Sequence, residues 1–180
     1  RAHFEQHVAA TGHIRVGDQT WQIDGLGLRD HSWGPRYWQN IHWYRWLPIS
    51  LGRDFGAMIM TTGTRDGDLD SGGMVFANGR YDLITEARVE SDWDANFYQT
   101  GMRAWCRTES GAEYNITGKV ISLIPLRNRR ITEDGKELVT RITEAMTEYR
   151  CNGHVGYCLS EYLDQIEDGV PVGQKIAAAR

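Results

Sequence analysis

The stretch TEYRCNGHVGYC, residues 147–158, has the pattern of two strands joined by a tight turn. Its central dipeptide, Asn152-Gly153, is a pair of residues that tolerates well the positive φ angles of a two-residue hairpin turn. Such a turn pairs Cys151 with His154, whereas it places Cys158 roughly 13 Å farther along the ladder. We therefore predict that these residues form neither a disulfide nor a metal site.

The segment before this turn is ambiguous when its apolar residues alone are considered. They fit a helical stripe about as well as a strand, and they are Leu138, Ile142, Ala145, Met146 and Tyr149. Because four threonines lie between positions 132 and 147 and a hairpin turn follows directly, we predict a strand over residues 138–149. The one helix that the sequence favours is short and covers Ser160–Glu167.

Turn dipeptides recur along the whole chain, as expected for a series of hairpins. They are Gly17-Asp18, Asp66-Gly67, Asn78-Gly79, Ser110-Gly111, Asp134-Gly135 and Asn152-Gly153. Between them apolar residues alternate with period two, and in the first strand Phe4, Val8 and Ile14 are predicted to face a core. Short strands without alternating helices indicate an antiparallel barrel or sandwich, and we predict one all-β domain over residues 1–180.

Composition limits the classes of partner. The chain has 20 Lys and Arg against 24 Asp and Glu, a formal charge of −4, which argues against nucleic acid and an anionic membrane surface. No stretch approaches the roughly 18 apolar residues of a membrane span.

Three cysteines are an odd, sparse set that favours a reducing compartment, so we expect the cytoplasm. Because the sequence begins with Arg1 and alternates from Phe4, we expect it to be the C-terminal part of a longer chain.

The block RDHSWG at residues 29–34 concentrates groups that can carry chemistry. In an extended strand, its odd-numbered residues point one way and its even-numbered residues the other. If the odd face lines a barrel interior, His31 can exchange a proton near neutral pH and Trp33 supplies an apolar wall. The structural alternative is that Asp30 pairs with a neighbouring arginine and Trp33 fills the core.

Aromatic residues are dense in the stretch that begins with this block. Four of the seven tryptophans and two tyrosines lie within residues 33–46, and they are Trp33, Trp38, Trp43, Trp46, Tyr37 and Tyr44. Such density is typical of the wall of an apolar or sugar-like ligand cavity, and it is equally typical of an aromatic core.

Three polar residues, His3, Glu5 and His7, share one face of the first strand. Their side chains would lie roughly 7 Å apart, which is wide for one ion whose ligands lie at about 2 Å. We therefore predict no metal and expect solvated or pocket-lining residues. Carboxylates for acid–base chemistry could come from Asp30, Glu144, Glu148 or Glu161, and the spacing alone does not pair them.

Three motifs occur in a recognisable order: HFEQ at 3–6, IDGLGLRDHSWGPRYW at 23–38 and GHVGYCLSEYLD at 153–164. In this order they resemble the AttH and carotenoid 1,2-hydratase group of lipocalin-like proteins, most closely its bacterial members of unassigned function. The resemblance implies two calycin-like β-barrel lobes, of which this chain is one and an upstream lobe the other. It also implies a pocket for a large apolar, isoprenoid- or polyketide-like molecule, and no metal or organic cofactor.

The resemblance further implies roles for His31 and Trp33. In the carotenoid hydratases these residues work with a Tyr-x-Asp pair on a following strand, whose aspartate is the proton donor. Here Met58-Ile59-Met60 stands in the corresponding region, so that donor is missing. Because an unactivated alkene must be protonated before water can add, a hydratase of this sequence needs another acid, for which Asp30 and Glu161 are the candidates.

Two functions are compatible with these observations. The first is a cofactor-independent hydro-lyase, isomerase or cyclase for a hydrophobic small molecule, with His31, Asp30 and Trp33 as predicted catalytic residues. The second is a lipocalin-type binding module, or a scaffolding lobe, without catalysis. The predicted ligand-binding residues are Arg36, Trp38, His42, Tyr44, Trp46, Met58, Met60 and Glu161.

Overall fold

The computed structural model describes residues 2–35 and 38–174, and nearly all of these residues lie in β-strands. In chain order the strands are β1 (Ala2–Val16), β2 (Gln19–Trp33), β3 (Trp43–Gly52), β4 (Phe55–Gly63), β5 (Leu69–Ala77), β6 (Arg80–Trp93), β7 (Gln99–Thr108), β8 (Glu113–Ile131), β9 (Glu137–Cys151), β10 (His154–Glu167) and β11 (Val170–Pro171). A 3₁₀ helix, Trp38–Asn40, precedes β3. The predicted all-β class is confirmed. Within the described ranges, no helix has the length and apolar character needed to cross a membrane.

Strands β3 to β10 form a closed antiparallel barrel. Each strand pairs with the next one in the chain, and β10 also pairs with β3. Closure of this kind removes the free strand edges that would otherwise promote edge-to-edge association. Of the two architectures that the sequence predicts, the structure is therefore the lipocalin-like barrel.

The predicted turns are confirmed, because all six dipeptides lie between consecutive strands. At Asn78-Gly79 the φ angles are 51° and 77°, and at Asn152-Gly153 they are 48° and 80°. Positive φ at both central residues is the requirement of a type I′ turn, and Asn followed by Gly meets it with little strain. These short turns fix the register of the strands that they join.

Strands β9 and β10 confirm one prediction and correct another. The predicted strand over residues 138–149 lies within β9, and the register of the turn keeps the two hairpin cysteines apart as free thiols. The predicted helix over Ser160–Glu167 is wrong, because this segment continues β10. Ser160 and Asp164 are buried polar residues on the inward face of the strand, so they hide its period-two pattern.

The barrel core has an apolar half and a polar half. The apolar half includes Leu47, Ile49, Leu51, Ala57, Ile59, Val75, Ala104 and Ile116. In the polar half, the guanidinium of Arg45 makes two hydrogen bonds with the carboxylate of Asp164, at 2.9 and 3.1 Å. The same guanidinium lies 4.3 Å from the ring centroid of Tyr162 and also over the rings of Trp43 and Trp93. A bidentate pair with aromatic neighbours offsets the cost of burying both charges.

Strands β1 and β2 form a separate hairpin that packs on the outside of the barrel. The indole N–H of Trp46 donates to Glu5 at 2.7 Å, and Nε2 of His7 lies 3.3 Å from the carbonyl oxygen of Ile49. Gly56 makes room for this histidine, since a Cβ at that position would lie 2.7 Å from Nε2. An isolated hairpin is marginally stable in water, so its position depends on such contacts.

The first strand forms as predicted, but most of the face assigned to the core is exposed, and of its three named residues only Val8 is half-buried. Phe4 and Ile14, which the period-two pattern assigns to the core, are 41% and 54% exposed. Glu5 and His7, on the opposite face, contact the barrel instead. The reason is that the hairpin meets the outer face of β3, where an indole N–H and a main-chain carbonyl offer partners for polar side chains.

Replacing Asp164 by Asn should lower the free energy of unfolding by about 3 kcal/mol, because it leaves the buried guanidinium of Arg45 without its counter-charge. Urea unfolding followed by tryptophan fluorescence measures this change. Asp92→Asn is the matched control, since Asp92 pairs with Arg103 at the exposed surface and should contribute far less. Equal losses in the two variants would contradict the role assigned to the buried pair.

Candidate functional site

A cavity of about 490 Å³ lies between the hairpin and the outer face of the barrel. Its volume is in the range of about 300–1,000 Å³ that is typical of small-molecule sites. The residues that line it are His3, Asp30, Pro35, Trp38, Asn40, Ile41, Tyr44, Trp46, Met60, Glu161 and Leu163. The cavity is therefore bounded by the hairpin on one side, by the segment before β3 on another, and by β3, β4 and β10 below.

The barrel side of the cavity is aromatic with one carboxyl group. Tyr44 and Trp46 alternate outward on β3, and the register with β10 sets Trp46 beside Glu161 and Tyr44 beside Leu163. Met60 lies opposite Trp46 on β4. The hydroxyl of Tyr44 donates a hydrogen bond to Oε1 of Glu161, which holds that carboxyl group against the aromatic wall.

A second carboxyl group lies next to the first. Glu144 on β9 is the direct cross-strand partner of Glu161 on β10, so the two side chains are neighbours on the outer face of the barrel. Burial, followed by the charge of Glu161, raises the pKa of Glu144 to about 7. Because two adjacent carboxylates repel each other, a pKa of about 7 means that the pair still holds a proton in part of the molecules at neutral pH. Such a retained proton is what a general acid must supply.

Three polar groups lie together on the hairpin, and two of them, His3 and Asp30, line the cavity. Glu5 and Asp30 are cross-strand partners, and His3 lies two residues from Glu5 on the same face. Nε2 of His3 is hydrogen-bonded to Oδ2 of Asp30 and lies 3.5 Å from Oε1 of Glu5. Burial raises the pKa of Glu5, against the opposing effect of the hydrogen bond from Trp46.

The third side is a short segment that a buried glutamine holds in place. The amide nitrogen of Gln165 donates to the carbonyl oxygens of Trp38 at 3.0 Å and Ile41 at 2.7 Å. The hydroxyl of Thr140 donates to the amide oxygen of Gln165 at 3.0 Å, and both of these polar residues are buried. The segment is thereby anchored to the barrel, with Trp38 partly exposed at the cavity.

The structure brings six of the predicted site residues together around this cavity: Asp30, Trp38, Tyr44, Trp46, Met60 and Glu161. Met58 and His42 are not among its lining residues. The main-chain oxygen of His42 accepts a hydrogen bond from the backbone N–H of Gln165, and burial lowers the pKa of its imidazole. Arg36 lies outside the described residues.

His31 and Trp33 share one face of β2, as the sequence predicts, but that face is turned away from the barrel. Their ring centroids are 5.1 Å apart, and the His31 ring is 5.4 Å from Phe4, over which the guanidinium of Arg29 lies at 4.8 Å. Trp33 is 52% exposed, so it does not fill a core. These residues form an exposed aromatic cluster that is separate from the cavity.

Glu144→Gln should make the protein less sensitive to pH. The pKa of Glu144 is raised from 4.5 to about 7, so the folded form gains stability from protonation that is lost as the pH rises through 7. Between about pH 5 and pH 8, the free energy of unfolding should fall by about 1–2 kcal/mol more in the wild type than in the variant, after allowance for partial solvent screening.

Urea unfolding at the two pH values measures this difference. Glu148→Gln is the control on the same strand, because Arg150 lowers the pKa of Glu148 and its titration falls below the tested range. An unchanged pH dependence in Glu144→Gln would contradict a shared proton at this pair.

Comparison with known proteins identifies a family but no characterised relative. The model of one protein family, described as a domain of unknown function (DUF7064), matches residues 1–166. No curated protein and no solved structure matches the chain. Because the match extends over most of the sequence, the chain belongs to the DUF7064 family.

Proposed function

We propose that the cavity is the active site of a hydro-lyase, isomerase or cyclase that acts on an apolar small molecule by acid–base chemistry. The observation that carries this proposal is the carboxyl pair of Glu144 and Glu161 at an aromatic wall. Glu161 lines the cavity and would touch the substrate, whereas Glu144 retains the proton that the pair shares. The hydroxyl of Tyr44 positions Glu161.

The resemblance to the AttH and carotenoid 1,2-hydratase group supports this reaction class, and the barrel fold is compatible with it. The acid of that group is missing from this chain, where Met58-Ile59-Met60 stands in its region. Glu161 is one of the two replacement acids that the sequence offers. Its cross-strand partner Glu144 has a raised pKa, so the pair can supply the proton that a general acid needs. The acid would then come from β10 rather than from β4.

A reaction at this site would begin with the single proton of the Glu144–Glu161 pair. Glu161 would take up the proton held by Glu144 and pass it to a carbon–carbon double bond, which leaves both carboxyl groups ionised. The cation that forms would lie near the rings of Trp38, Tyr44 and Trp46, and aromatic faces stabilise a nearby cation. Addition of water, with loss of one of its protons to the Glu161 carboxylate, would complete a hydration. Loss of a different proton from the cation to the same carboxylate would complete an isomerisation. Attack by a second double bond of the same molecule would form a ring and a new cation, and loss of a proton from that cation to the Glu161 carboxylate would complete a cyclisation.

The predicted roles of His31 and Trp33 depend on a surface other than this cavity. Both side chains lie on the exposed face of the hairpin, so they can contact a ligand only where another surface covers that face. The upstream lobe that the sequence predicts would be such a surface. Within the cavity described here, neither residue takes part in the proposed reaction.

Mass spectrometry can test the proposal after incubation of the protein with linear isoprenoids and polyenes in ¹⁸O-labelled water. Glu161→Gln should reduce turnover by about 10²-fold or more, which is the usual contribution of a general acid. Wild-type turnover should fall as the pH rises through about 7, because the pair then loses its proton. Glu148→Gln, which changes an acid outside the cavity, should be unaffected.

The outcomes separate the alternatives. An ¹⁸O-labelled adduct would identify a hydratase, and an unlabelled rearranged product an isomerase or cyclase. Turnover that survives in Glu161→Gln but is lost in His31→Ala would contradict the proposal and favour a site on the exposed cluster. A compound that is retained unchanged by the wild type would instead support the lipocalin-type binding module.

A further inference from the structure

We propose that His3, Glu5 and Asp30 bind a divalent transition-metal ion of the Zn²⁺ or Mn²⁺ type at the hairpin side of the cavity. This inference goes beyond the proposed acid–base function and beyond the family assignment. It stands on the arrangement of three side chains from two paired strands, and it holds or fails whether or not Glu161 transfers a proton.

The distances between the potential ligand atoms fit one ion. One nitrogen or oxygen atom from each of His3, Glu5 and Asp30 can be chosen so that all three lie within 4.8 Å of one another. Nε2 of His3 is 3.5 Å from Oε1 of Glu5. Ligands at about 2.0–2.2 Å from a tetrahedral ion lie roughly 3.5 Å apart, so small side-chain rotations are enough to bring all three into coordination.

The convergence comes from strand pairing rather than from spacing along one strand. Glu5 and Asp30 face each other across the hairpin, and cross-strand partners hold their Cβ atoms about 5 Å apart. Of the three polar residues that share one face of β1, His7 does not join the other two, because its Nε2 lies against the carbonyl oxygen of Ile49. Asp30 takes the place that His7 would have had in a metal site along a single strand.

Glu5 has the environment of an oriented metal ligand. Its side chain is 8% exposed, and among the described residues its one salt-bridge partner is His3. The indole N–H of Trp46 donates to Oε1 of Glu5 at 2.7 Å, which is the kind of outer contact that fixes a ligating carboxylate. A buried carboxylate is costly without a counter-charge, and a bound cation would supply one.

The donor set and the surroundings favour a metal with accessible coordination positions. One imidazole nitrogen and two carboxylate oxygens suit Zn²⁺, Fe²⁺ and Mn²⁺, and two carboxylates balance the charge of a divalent ion. His3 and Asp30 are 42% and 36% exposed and line the cavity, which places further positions of the ion on the cavity side. Neither Lys nor Arg occurs among the described lining residues, so no cationic side chain there opposes the ion.

The test uses untagged, metal-stripped protein, with Zn²⁺ binding measured by calorimetry and Co²⁺ binding by visible absorption. The wild type should bind one ion per chain, whereas His3→Ala and Asp30→Asn should lose this binding. Trp46→Phe retains an aromatic ring but removes the N–H donor to Glu5, and it should weaken binding by about 10–100-fold. His13→Ala changes an exposed histidine on the same strand and should leave binding unchanged.

Circular dichroism of each variant shows whether its fold is retained. Binding that is the same in folded His3→Ala or Asp30→Asn as in the wild type would overturn the proposal, and so would binding that is lost in His13→Ala. The measurement is at equilibrium and needs no substrate. Its failure therefore leaves the acid–base proposal intact, and a lack of turnover in the isoprenoid assay leaves the metal site intact.

Discussion

The double pairing of β10, with β9 on one side and β3 on the other, is the constraint on which the structure depends. It closes the barrel, and because side chains alternate along the strand, it organises both faces at once. On the inner face Asp164 meets the guanidinium of Arg45. On the outer face Glu161 lies between Glu144 and Trp46. A shift of β10 by one residue would exchange these faces, burying Glu161 in the core and exposing Asp164.

The occupied interior explains why the cavity lies outside the barrel. Apolar side chains fill one half of the core, and the Arg45–Asp164 pair with its aromatic neighbours occupies the other. The outer face of β3 is correspondingly rich in groups that a second element can contact, and the hairpin covers it through Glu5 and His7. The lipocalin-like fold therefore carries its candidate site between a barrel wall and an added hairpin.

Sequence patterns predicted the elements well, whereas they predicted the faces poorly. Turn dipeptides located hairpins because positive φ angles are a local requirement. The alternation rule places Phe4 in the core and misses the strand over Ser160–Glu167, because it assumes that apolar residues face inward. Here a polar strand face packs on the barrel, and polar residues also lie inside it. Which face of a strand is covered depends on tertiary packing, which alternation alone does not reveal.

About half of the residues that line the candidate site were predicted from sequence. Two pairs of acidic residues were not predicted, although the positions of the turns indicate both. The count outward from Asn152-Gly153 that pairs Cys151 with His154 also pairs Glu144 with Glu161. The same count from Gly17-Asp18 pairs Glu5 with Asp30. What no count supplies is the placement of the hairpin over β3, which brings Asp30 of one pair and Glu161 of the other to one cavity.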